Sequence, residues 1–366
     1  MEQATLKRTC LYDKHAALGA QIAPFGGFEM PIQYKDIVTE HQAVRNACGM
    51  FDVSHMGEVS ITGPDAERFV QHIFTNNVAG APYGSIFYGM LLYPEGGVVD
   101  DLLVYVKSAT NYFLVINAAN IDKDMAWIEA QREGFDVNIE NLSEQFGELA
   151  VQGPKAEAVI ERVLGIPCKD LAFYTFTELE HRGEPILISR TGYTGEDGFE
   201  LYGSHAFINQ VWDALLESGE VEPCGLGCRD TLRFEVGLPL YGNELSQDIT
   251  PLEAGLGMFC KLDKEEFIGK EALAQMKAEG LKRKIVGIEL SSRAIPRHGY
   301  DVEVDGVVIG TVTTGYNSIS TGKSVCMALI DKRYAELGNN VQVRIHKRLQ
   351  DGVVTKKRFY EKNYKK

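Results

Sequence analysis

The chain contains an internal repeat, and this repeat restricts the folds that it can adopt. Residues 61–67 (ITGPDAE) and 151–157 (VQGPKAE) share a Gly-Pro pair, with Gly63 and Gly153 standing 90 residues apart. In each copy a strand pattern ends at the Gly-Pro pair and a helix pattern begins there, because proline suits the first turn of a helix. We therefore predict two related α+β modules that pack together.

The two tryptophans support the same division. Each copy closes with a strand pattern followed by a helix pattern, and Trp127 and Trp212 fall in these two helices, 85 residues apart. The alternative interpretation is chance similarity between two short strand–helix units. If the copies are related modules, a ligand site between them is expected, because ligands often bind where modules meet.

Two adjacent carboxylates interrupt a strong strand pattern in the first copy. A pair of glycines predicts a turn, and residues 98–105 (VVDDLLVY) after it predict a strand. Neighbouring strand residues point to opposite faces, so Asp101 would share a face with Leu103, and Asp100 would not. A carboxylate on an apolar face is costly unless something pairs with it. Alternatively, both aspartates are solvated turn residues at the mouth of the strand.

A glycine-rich stretch in the second copy also carries carboxylates. Residues 191–200 (TGYTGEDGFE) contain three glycines, but no Gly-Lys-Ser/Thr follows them, so a nucleotide phosphate loop is not expected. Carboxylates here would repel phosphate, whereas one carboxylate can accept both donors of a guanidine-like or aminopyrimidine edge. Glu200 lies in a strand pattern and is the candidate for this role. The alternative is a Glu200 side chain that faces solvent.

The length of 366 residues predicts two or three domains. A charged segment at residues 277–284 is typical of a linker, and an Asp-Gly pair at 305–306 predicts a hairpin that begins a run of short strands. The predicted fold class is α+β, with two related modules and a small C-terminal β-barrel. The predicted domains are residues 1–278, with copies near 50–135 and 140–220, and residues 279–366.

Charge is distributed unevenly along the chain. The net charge is −14, yet residues 281–366 carry 17 basic and 8 acidic side chains, a balance of +9, which leaves −23 for the first 280 residues. Two interpretations remain open: a solvated basic face, or a docking patch for an acidic partner. No nucleic-acid recognition module accompanies the charge, so nucleic acid is not an expected partner.

Several functional classes are not expected. The sequence has no run of about 18 apolar residues that could span a membrane, and residues 1–8 lack the apolar core of a signal peptide. Seven scattered cysteines favour reduced thiols in the cytoplasm. Cys224 and Cys228 lack a second pair, so we interpret them as packing residues and expect no metal site. His55 is interpreted as a structural histidine with satisfied ring nitrogens.

Several separated motifs, in the same order, resemble those of the T-protein family of the glycine cleavage system, the aminomethyltransferases. The resemblance covers essentially the whole chain. The matching stretches are residues 11–13 (LYD), 51–56 (FDVSHM), 96–102 (GGVVDDL), 192–198 (GYTGEDG), 229–233 (RDTLR) and 240–243 (LYGN).

The resemblance implies a three-lobed arrangement with tetrahydrofolate bound at its centre. The key carboxylate of the family corresponds to Asp101, near the reactive folate nitrogens, and the glutamate that anchors the pterin corresponds to Glu200. The folate-contacting arginine and the C-terminal tyrosine of the family correspond to Arg229 and Tyr364. Further implied pocket members are Met56, Tyr83, Asn117 and Tyr193.

The implied activity is transfer of the methylene carbon from the aminomethyl-lipoyl arm of the H-protein to tetrahydrofolate, which gives 5,10-methylenetetrahydrofolate and ammonia. The implied partners are the lipoylated H-protein and tetrahydrofolate, and a monomer is expected. One alternative is a folate-dependent demethylating oxidase subunit. Another is a non-catalytic folate-binding accessory protein, whose Lys-Gly-Cys-Tyr type of signature is most similar here to residues 264–271, with Glu266 in place of the cysteine.

Overall fold

The computed structural model describes residues 5–365, and the fold begins with a segment that precedes the repeat. This segment packs against the second copy, because its last strand joins the sheet of that copy. Its elements are α1 (Tyr12–Ala17), β1 (Gln21–Phe25), β2 (Phe28–Gln33), α2 (Ile37–Asn46) and β3 (Gly49–Asp52).

The first module is an antiparallel five-stranded sheet with two helices. Its strand order is β5-β6-β7-β4-β8. The side chains on one face of this sheet pack under the two helices, in a core that contains Phe69, Leu102, Val104 and Ile128. The elements are β4 (Gly57–Thr62), α3 (Ala66–Ile73), β5 (Ile86–Leu92), β6 (Val98–Ser108), β7 (Asn111–Ile116), α4 (Ile121–Ala130) and β8 (Asn138–Asn141).

The second module repeats this topology. Its strand order is β10-β11-β12-β9-β3-β13, so the strand from the N-terminal segment occupies the position that β8 has in the first module. Trp212 is buried in the core on the helix side of this sheet. The elements are β9 (Gly147–Gln152), α5 (Ala156–Val159) with a π-helical turn at Ile160–Leu164, β10 (Phe176–His181), β11 (Glu184–Ser189), β12 (Gly198–Gly203), α6 (His205–Glu217) and β13 (Glu222–Pro223).

The repeat is confirmed by an approximate twofold relation between the modules. Ser85 and Thr175, which are 90 residues apart, form an isolated bridge just before β5 and β10. Ile86 N–H donates to the Tyr174 carbonyl at 3.1 Å, and Phe176 N–H donates to the Gly84 carbonyl at 2.9 Å. The two copies therefore meet at equivalent edges. The 90 residues that separate the Gly-Pro pairs also separate equivalent positions of the two modules at this contact.

The two copies differ at one strained position. Gly84 has φ 89°, and its counterpart Tyr174 has φ 62° although it carries a side chain. A non-glycine residue in this left-handed region costs roughly 1 kcal/mol or more, which the surrounding packing must offset. In the second module this conformation places an aromatic ring where the first module has none.

The inner faces of the two sheets form a shared core. Tyr105 from the first module and Tyr202 from the second lie in it, together with Ile86, Phe113, Val115, Phe176 and Leu187. Strand alternation in β6 follows the expected parity, because Leu103 faces this core whereas Leu102 faces the helices. The alternative that Asp100 and Asp101 are solvated turn residues is wrong, because both lie within β6.

Two helices connect the modules to the C-terminal part, which is a closed barrel of order β14-β17-β16-β15-β18-β19. The predicted linker at 277–284 is shorter in the structure, since α8 continues to Glu279 and the barrel begins at Arg283. The division after residue 278 stays a prediction. The elements are α7 (Leu226–Glu235), α8 (Lys270–Glu279), β14 (Arg283–Leu290), β15 (Asp301–Val304), β16 (Val307–Asn317), β17 (Ser324–Asp331), β18 (Asn340–Ile345) and β19 (Arg348–Thr355).

The barrel is attached to the modules by a buried ionic network. Arg233 on α7 is fully buried and pairs with Glu244 at 2.7 Å and with Asp230 at 2.6 Å. Glu244 in turn accepts a hydrogen bond from Thr314 of β16 at 2.6 Å. The buried Arg233 guanidinium thus connects α7 to β16 through Glu244, and this network fixes the barrel against α7.

Candidate active site

The parts of the chain meet around one deep cavity of about 960 Å³. Its wall is built by the inner faces of both modules, by residues 236–241 and 255–259, and by the chain that follows the barrel, which we call the C-terminal tail (residues 356–365). Of the eight site residues predicted from the sequence, seven lie in this wall: Met56, Asp101, Asn117, Tyr193, Glu200, Arg229 and Tyr364.

Tyr83 is not among the residues that line the cavity, and its predicted place in the pocket needs correction. Its side chain is half exposed, and its ring packs edge-on against Phe176 at 5.3 Å. Its hydroxyl accepts a hydrogen bond from the Glu178 N–H at 2.9 Å. Tyr83 precedes β5 at the outer end of the contact between the modules, so it stabilises that contact from outside.

Asp101 projects from β6 into the cavity, on the face that Leu103 shares. The Tyr88 hydroxyl donates to its Oδ2 at 2.9 Å, and the Asn117 amide donates to its Oδ1 at 3.1 Å. Burial, and next the negative charge of Asp100, raise the pKa of Asp101 to about 7, against the lowering effect of these hydrogen bonds. A carboxyl group with this pKa can accept or release a proton near neutral pH.

Behind Asp101 lies a second carboxylate that the cavity does not reach. Asp100 is fully buried and accepts hydrogen bonds from Asn117 N–H at 2.9 Å, from the Asn117 amide at 2.8 Å and from the Asn120 amide at 2.7 Å. The neighbouring Asp124 is also fully buried, and burial raises the pKa of Asp124 to about 11. Three N–H donors therefore satisfy the buried Asp100 carboxyl group next to Asp101.

Glu200 lies on β12 of the second module and also lines the cavity. The Thr191 hydroxyl donates to its Oε2 at 2.5 Å. Burial raises the pKa of Glu200, whereas the Thr191 hydrogen bond and the positive charge of Arg229 act in the opposite direction. Glu200 is equivalent to a residue of β7 in the first module, so it does not correspond to Asp101, which lies on β6. The site therefore uses different strands of the two copies.

Arg229 and Tyr193 form one contact in the wall. The Arg229 guanidinium lies over the Tyr193 ring, 4.6 Å from its centroid, and the Tyr193 hydroxyl donates to the Pro239 carbonyl. The positive charge of Arg229 also lies near His55, where burial lowers the pKa to about 3. His55 is therefore neutral, and neither of its ring nitrogens has a hydrogen-bond partner among residues 5–365, contrary to the satisfied histidine that we expected.

The C-terminal tail brings Tyr364 back to the second module. Its ring stacks on Phe173 with centroids 4.3 Å apart, and Asn363 N–H donates to the Gly195 carbonyl at 2.7 Å. The tail also contributes Lys356, Arg358 and Lys362 to the wall of the cavity. Burial, and next the charge of Arg358, lower the pKa of Lys362 to about 8.

The cavity is polarised in the sense that its wall carries both signs of charge. The modules contribute acidic side chains, α7 contributes Arg229, and the tail contributes basic side chains together with Glu361. A ligand that has both N–H donors and carboxylates would match both kinds of side chain. The carboxyl group of Asp101, with a pKa near neutrality, adds a group that can exchange protons with a bound ligand.

Among the lining residues that were not predicted, Tyr88 and Glu148 carry polar groups. Tyr88 stands directly across from Leu103 in the pairing of β5 with β6, and Glu148 stands across from Tyr202 in the pairing of β9 with β12. A polar residue inside an apolar strand pattern was a signal for Glu148, whereas a tyrosine in a strand carries no such signal.

These features define an enzyme class in which paired α+β modules and a barrel surround one cavity lined by acidic and basic side chains. Two family models match the chain: "GCVT N-terminal domain" over residues 11–264 and "Glycine cleavage T-protein C-terminal barrel domain" over residues 283–361. The chain therefore belongs to the glycine cleavage T-protein family, the aminomethyltransferases.

Individual relatives agree with this assignment over their full lengths. The chain is 49% identical to an aminomethyltransferase of Alkaliphilus oremlandii over 99% of both chains. It is 48% identical to an aminomethyltransferase of Bacillus subtilis over 98% of this chain and all of that one. The crystal structure of the glycine cleavage system aminomethyltransferase T from Bartonella henselae superposes with a TM-score of 0.94, at 32% identity, over 99% of this chain and 100% of that chain.

Proposed function

We propose that this chain transfers the methylene carbon of an aminomethyl-lipoyl arm, carried by an H-protein, to tetrahydrofolate. The products are 5,10-methylenetetrahydrofolate and ammonia. The observation that carries the proposal is the Asp101 carboxyl group, which is held by Tyr88 and Asn117 inside the polarised cavity and has a pKa near neutrality.

We assign the aminopyrimidine edge of tetrahydrofolate to Glu200. An ionised carboxylate accepts two parallel N–H bonds from such an edge, and Thr191 and Arg229 favour this ionised form. The glutamate end of the folate would then meet the basic side chains of the C-terminal tail, Lys356, Arg358 and Lys362. In this orientation the reactive nitrogens of the folate lie towards Asp101.

Asp101 has two tasks in the proposed reaction. Loss of ammonia from the aminomethyl group leaves a cationic methylene equivalent on sulfur, and a folate nitrogen attacks this carbon and must lose a proton. The Asp101 carboxylate accepts that proton, and its negative charge stabilises the cation. Attack by the second folate nitrogen then breaks the carbon–sulfur bond, and the lipoyl arm leaves as a dithiol that takes up the proton of this nitrogen. The cavity walls hold the folate in place, which reduces the entropic cost of the attack and of ring closure.

Ammonia release from an aminomethylated carrier protein, measured with and without tetrahydrofolate, tests the proposal. We expect release to require this chain and to be accelerated by tetrahydrofolate, with 5,10-methylenetetrahydrofolate formed in equal amount. Release that is independent of tetrahydrofolate, or folate binding without release, would contradict it. The latter result would instead favour the non-catalytic accessory protein.

The comparisons do not favour the oxidase and accessory alternatives, since the relatives reported above are aminomethyltransferases. None of the helices within residues 5–365 has the length and apolar character needed to cross a membrane. We propose a cytoplasmic location and a monomer. All seven cysteines are free thiols, as a reducing compartment requires.

A further inference from the structure

Glu148 is a buried acidic side chain in the cavity wall, and it has no role in the proposed reaction. It lies on β9, directly across from Tyr202 on β12, and only 2% of its surface is exposed. Its Oε2 has no hydrogen-bond donor within the described chain. A carboxylate anion in such a place would lack most of the solvation it needs. Glu148 therefore needs either a proton or an opposing charge.

A chain of four buried hydroxyl groups leads from the neighbour of Glu148 to Glu200. The Tyr202 and Tyr105 hydroxyl oxygens are 2.9 Å apart, and Tyr105 lies 3.3 Å from the Ser189 hydroxyl. Ser189 lies 2.6 Å from the Thr191 hydroxyl, which donates to Glu200 Oε2 at 2.5 Å. Each of these hydroxyl-bearing residues is at most 2% exposed.

The direction of this chain follows from counting hydrogens. A hydroxyl group has one hydrogen to donate, and Thr191 gives its hydrogen to Glu200, so Thr191 must accept from Ser189. By the same rule Ser189 accepts from Tyr105, and Tyr105 accepts from Tyr202. The Tyr202 oxygen is then left to accept a hydrogen bond, and a protonated Glu148, which is paired with Tyr202 between β9 and β12, is the candidate donor.

The surrounding charges favour the same arrangement. Three buried carboxyl groups, Glu58, Glu148 and Glu200, lie close together, and Arg229 is the positive charge that acts on both Glu148 and Glu200. Both oxygens of Glu58 also lack donors among residues 5–365. Burial raises the pKa of Glu58 and of Glu148 well above the usual range. One guanidinium can balance one anion, and Glu200 is the carboxyl that has strong donors.

We propose that Glu148 carries a proton at neutral pH and acts as a positioning residue, which orients the hydroxyl chain so that Glu200, and not Glu148, is the anion that accepts the aminopyrimidine edge. This inference rests on the proposed function for its ligand, tetrahydrofolate. Cooperative polarisation along the chain strengthens its last hydrogen bond, from Thr191 to Glu200. The wall then accepts two N–H donors of a ligand edge and disfavours an edge with acceptors.

Infrared difference spectroscopy tests the protonation state without any ligand. At pH 7 the spectrum of the unsubstituted protein minus that of Glu148→Gln should contain the C=O band of a protonated carboxylic acid. The matched control is Glu140→Gln, because Glu140 is exposed on β8 and should give only carboxylate bands. A carboxylate band in place of the acid band for Glu148 would overturn the proposal.

The pH dependence of the tetrahydrofolate dissociation constant tests the connection to Glu200. The measurement is made in an Asp101→Asn background so that Asp101 does not titrate. Binding should weaken at acid pH as Glu200 takes up a proton. Tyr105→Phe and Glu148→Leu interrupt the hydroxyl chain. Each should move the acid limb, which is the pH range in which binding weakens, to higher pH by up to about one unit. At pH values below this range, that shift corresponds to a rise of about tenfold in the dissociation constant.

Glu148→Gln should restore the position of the limb, because its amide N–H can donate to Tyr202 as the protonated acid does. If Glu148→Gln and Glu148→Leu shift the limb equally, or if neither shifts it, the positioning role is wrong. Should the protein bind no tetrahydrofolate at any pH while the acid band is present, the proposed function fails and the protonation of Glu148 stands.

Discussion

The side-chain amide of Asn117 contacts Asp101 twice, donating to its Oδ1 and to its main-chain carbonyl oxygen, each at 3.1 Å. The same amide donates to Asp100 at 2.8 Å. Asn117 follows β7 and is thus held at the end of the strand next to β6. These contacts fix the orientation of the Asp101 carboxyl group without supplying a positive charge, so they lower its pKa less than burial and the charge of Asp100 raise it.

Asp101→Asn should keep folate binding and lose most turnover. The amide has the shape of the carboxyl group, but it can neither accept the proton nor stabilise the cation. We expect kcat to fall by about 10²–10⁴ with little change in the folate dissociation constant. Steady-state ammonia release and equilibrium folate binding measure the two quantities. Near-full methylene transfer by this variant would remove Asp101 from the mechanism.

Tyr88→Phe should move the pH dependence of the reaction. The ionised form of Asp101 is the active one in the proposed mechanism, so kcat/KM should rise with pH through about 7. The Tyr88 hydrogen bond lowers the pKa of Asp101, and its loss should move the rising limb to higher pH by up to about one unit. Tyr83→Phe is the matched control, since Tyr83 does not line the cavity. An unmoved limb in Tyr88→Phe would show that another group titrates.

Asp101 should also reduce stability at neutral pH. Its pKa is higher in the folded protein than in the unfolded chain, so the folded state binds the proton more tightly between pH of about 4 and 7. Stability contributed by that proton is lost as the pH rises through this range. Asp101→Asn should therefore be more stable than the unsubstituted protein at pH 8, by roughly 1–4 kcal/mol, and closer to it at pH 5. Denaturant unfolding at both pH values measures this, and an equal difference at both would contradict the ionisation argument.

Much of the architecture was predictable because it depends on local patterns. Each Gly-Pro pair marks the point where a strand ends and a helix begins. The spacing of 90 residues between the two pairs equals the spacing between Ser85 and Thr175, which pair with each other where the modules meet. By contrast, the place of β3 in the second sheet depends on pairing with β9, about 100 residues later in the chain, and no local pattern predicts such a pairing. The end of α8 at Gly280 was likewise missed because a charged segment is typical both of a linker and of an exposed helix.

The site was predictable where a carboxylate stood in a strand pattern. Strand parity places Asp101 on the inner face once the strand is assigned, and a family resemblance supplied the remaining positions. Parity could not decide whether Asp100 was buried, because its donors come from Asn117 and Asn120, which follow β7. Tyr83 was assigned to the pocket, but the chain turns its side chain outwards before β5. The sequence could not show this, because a turn of this kind depends on tertiary contacts.

The basic C-terminal tail leads to the last prediction. Lys356 and Arg358 are exposed, whereas the Lys357 ammonium group donates to the Ala254 carbonyl and is mostly buried, so only the first two can meet a docking protein. Lys356→Glu with Arg358→Glu should raise the apparent KM for the carrier several-fold at low ionic strength, and the effect should shrink as salt is added. The matched control reverses Lys347 and Arg348, which are exposed in the turn after β18 and at the start of β19. Because the tail also lines the cavity, the KM for folate is measured in parallel. A rise in the KM for folate alone would show that these two side chains contact the folate. An unchanged KM for the carrier would rule out this docking patch.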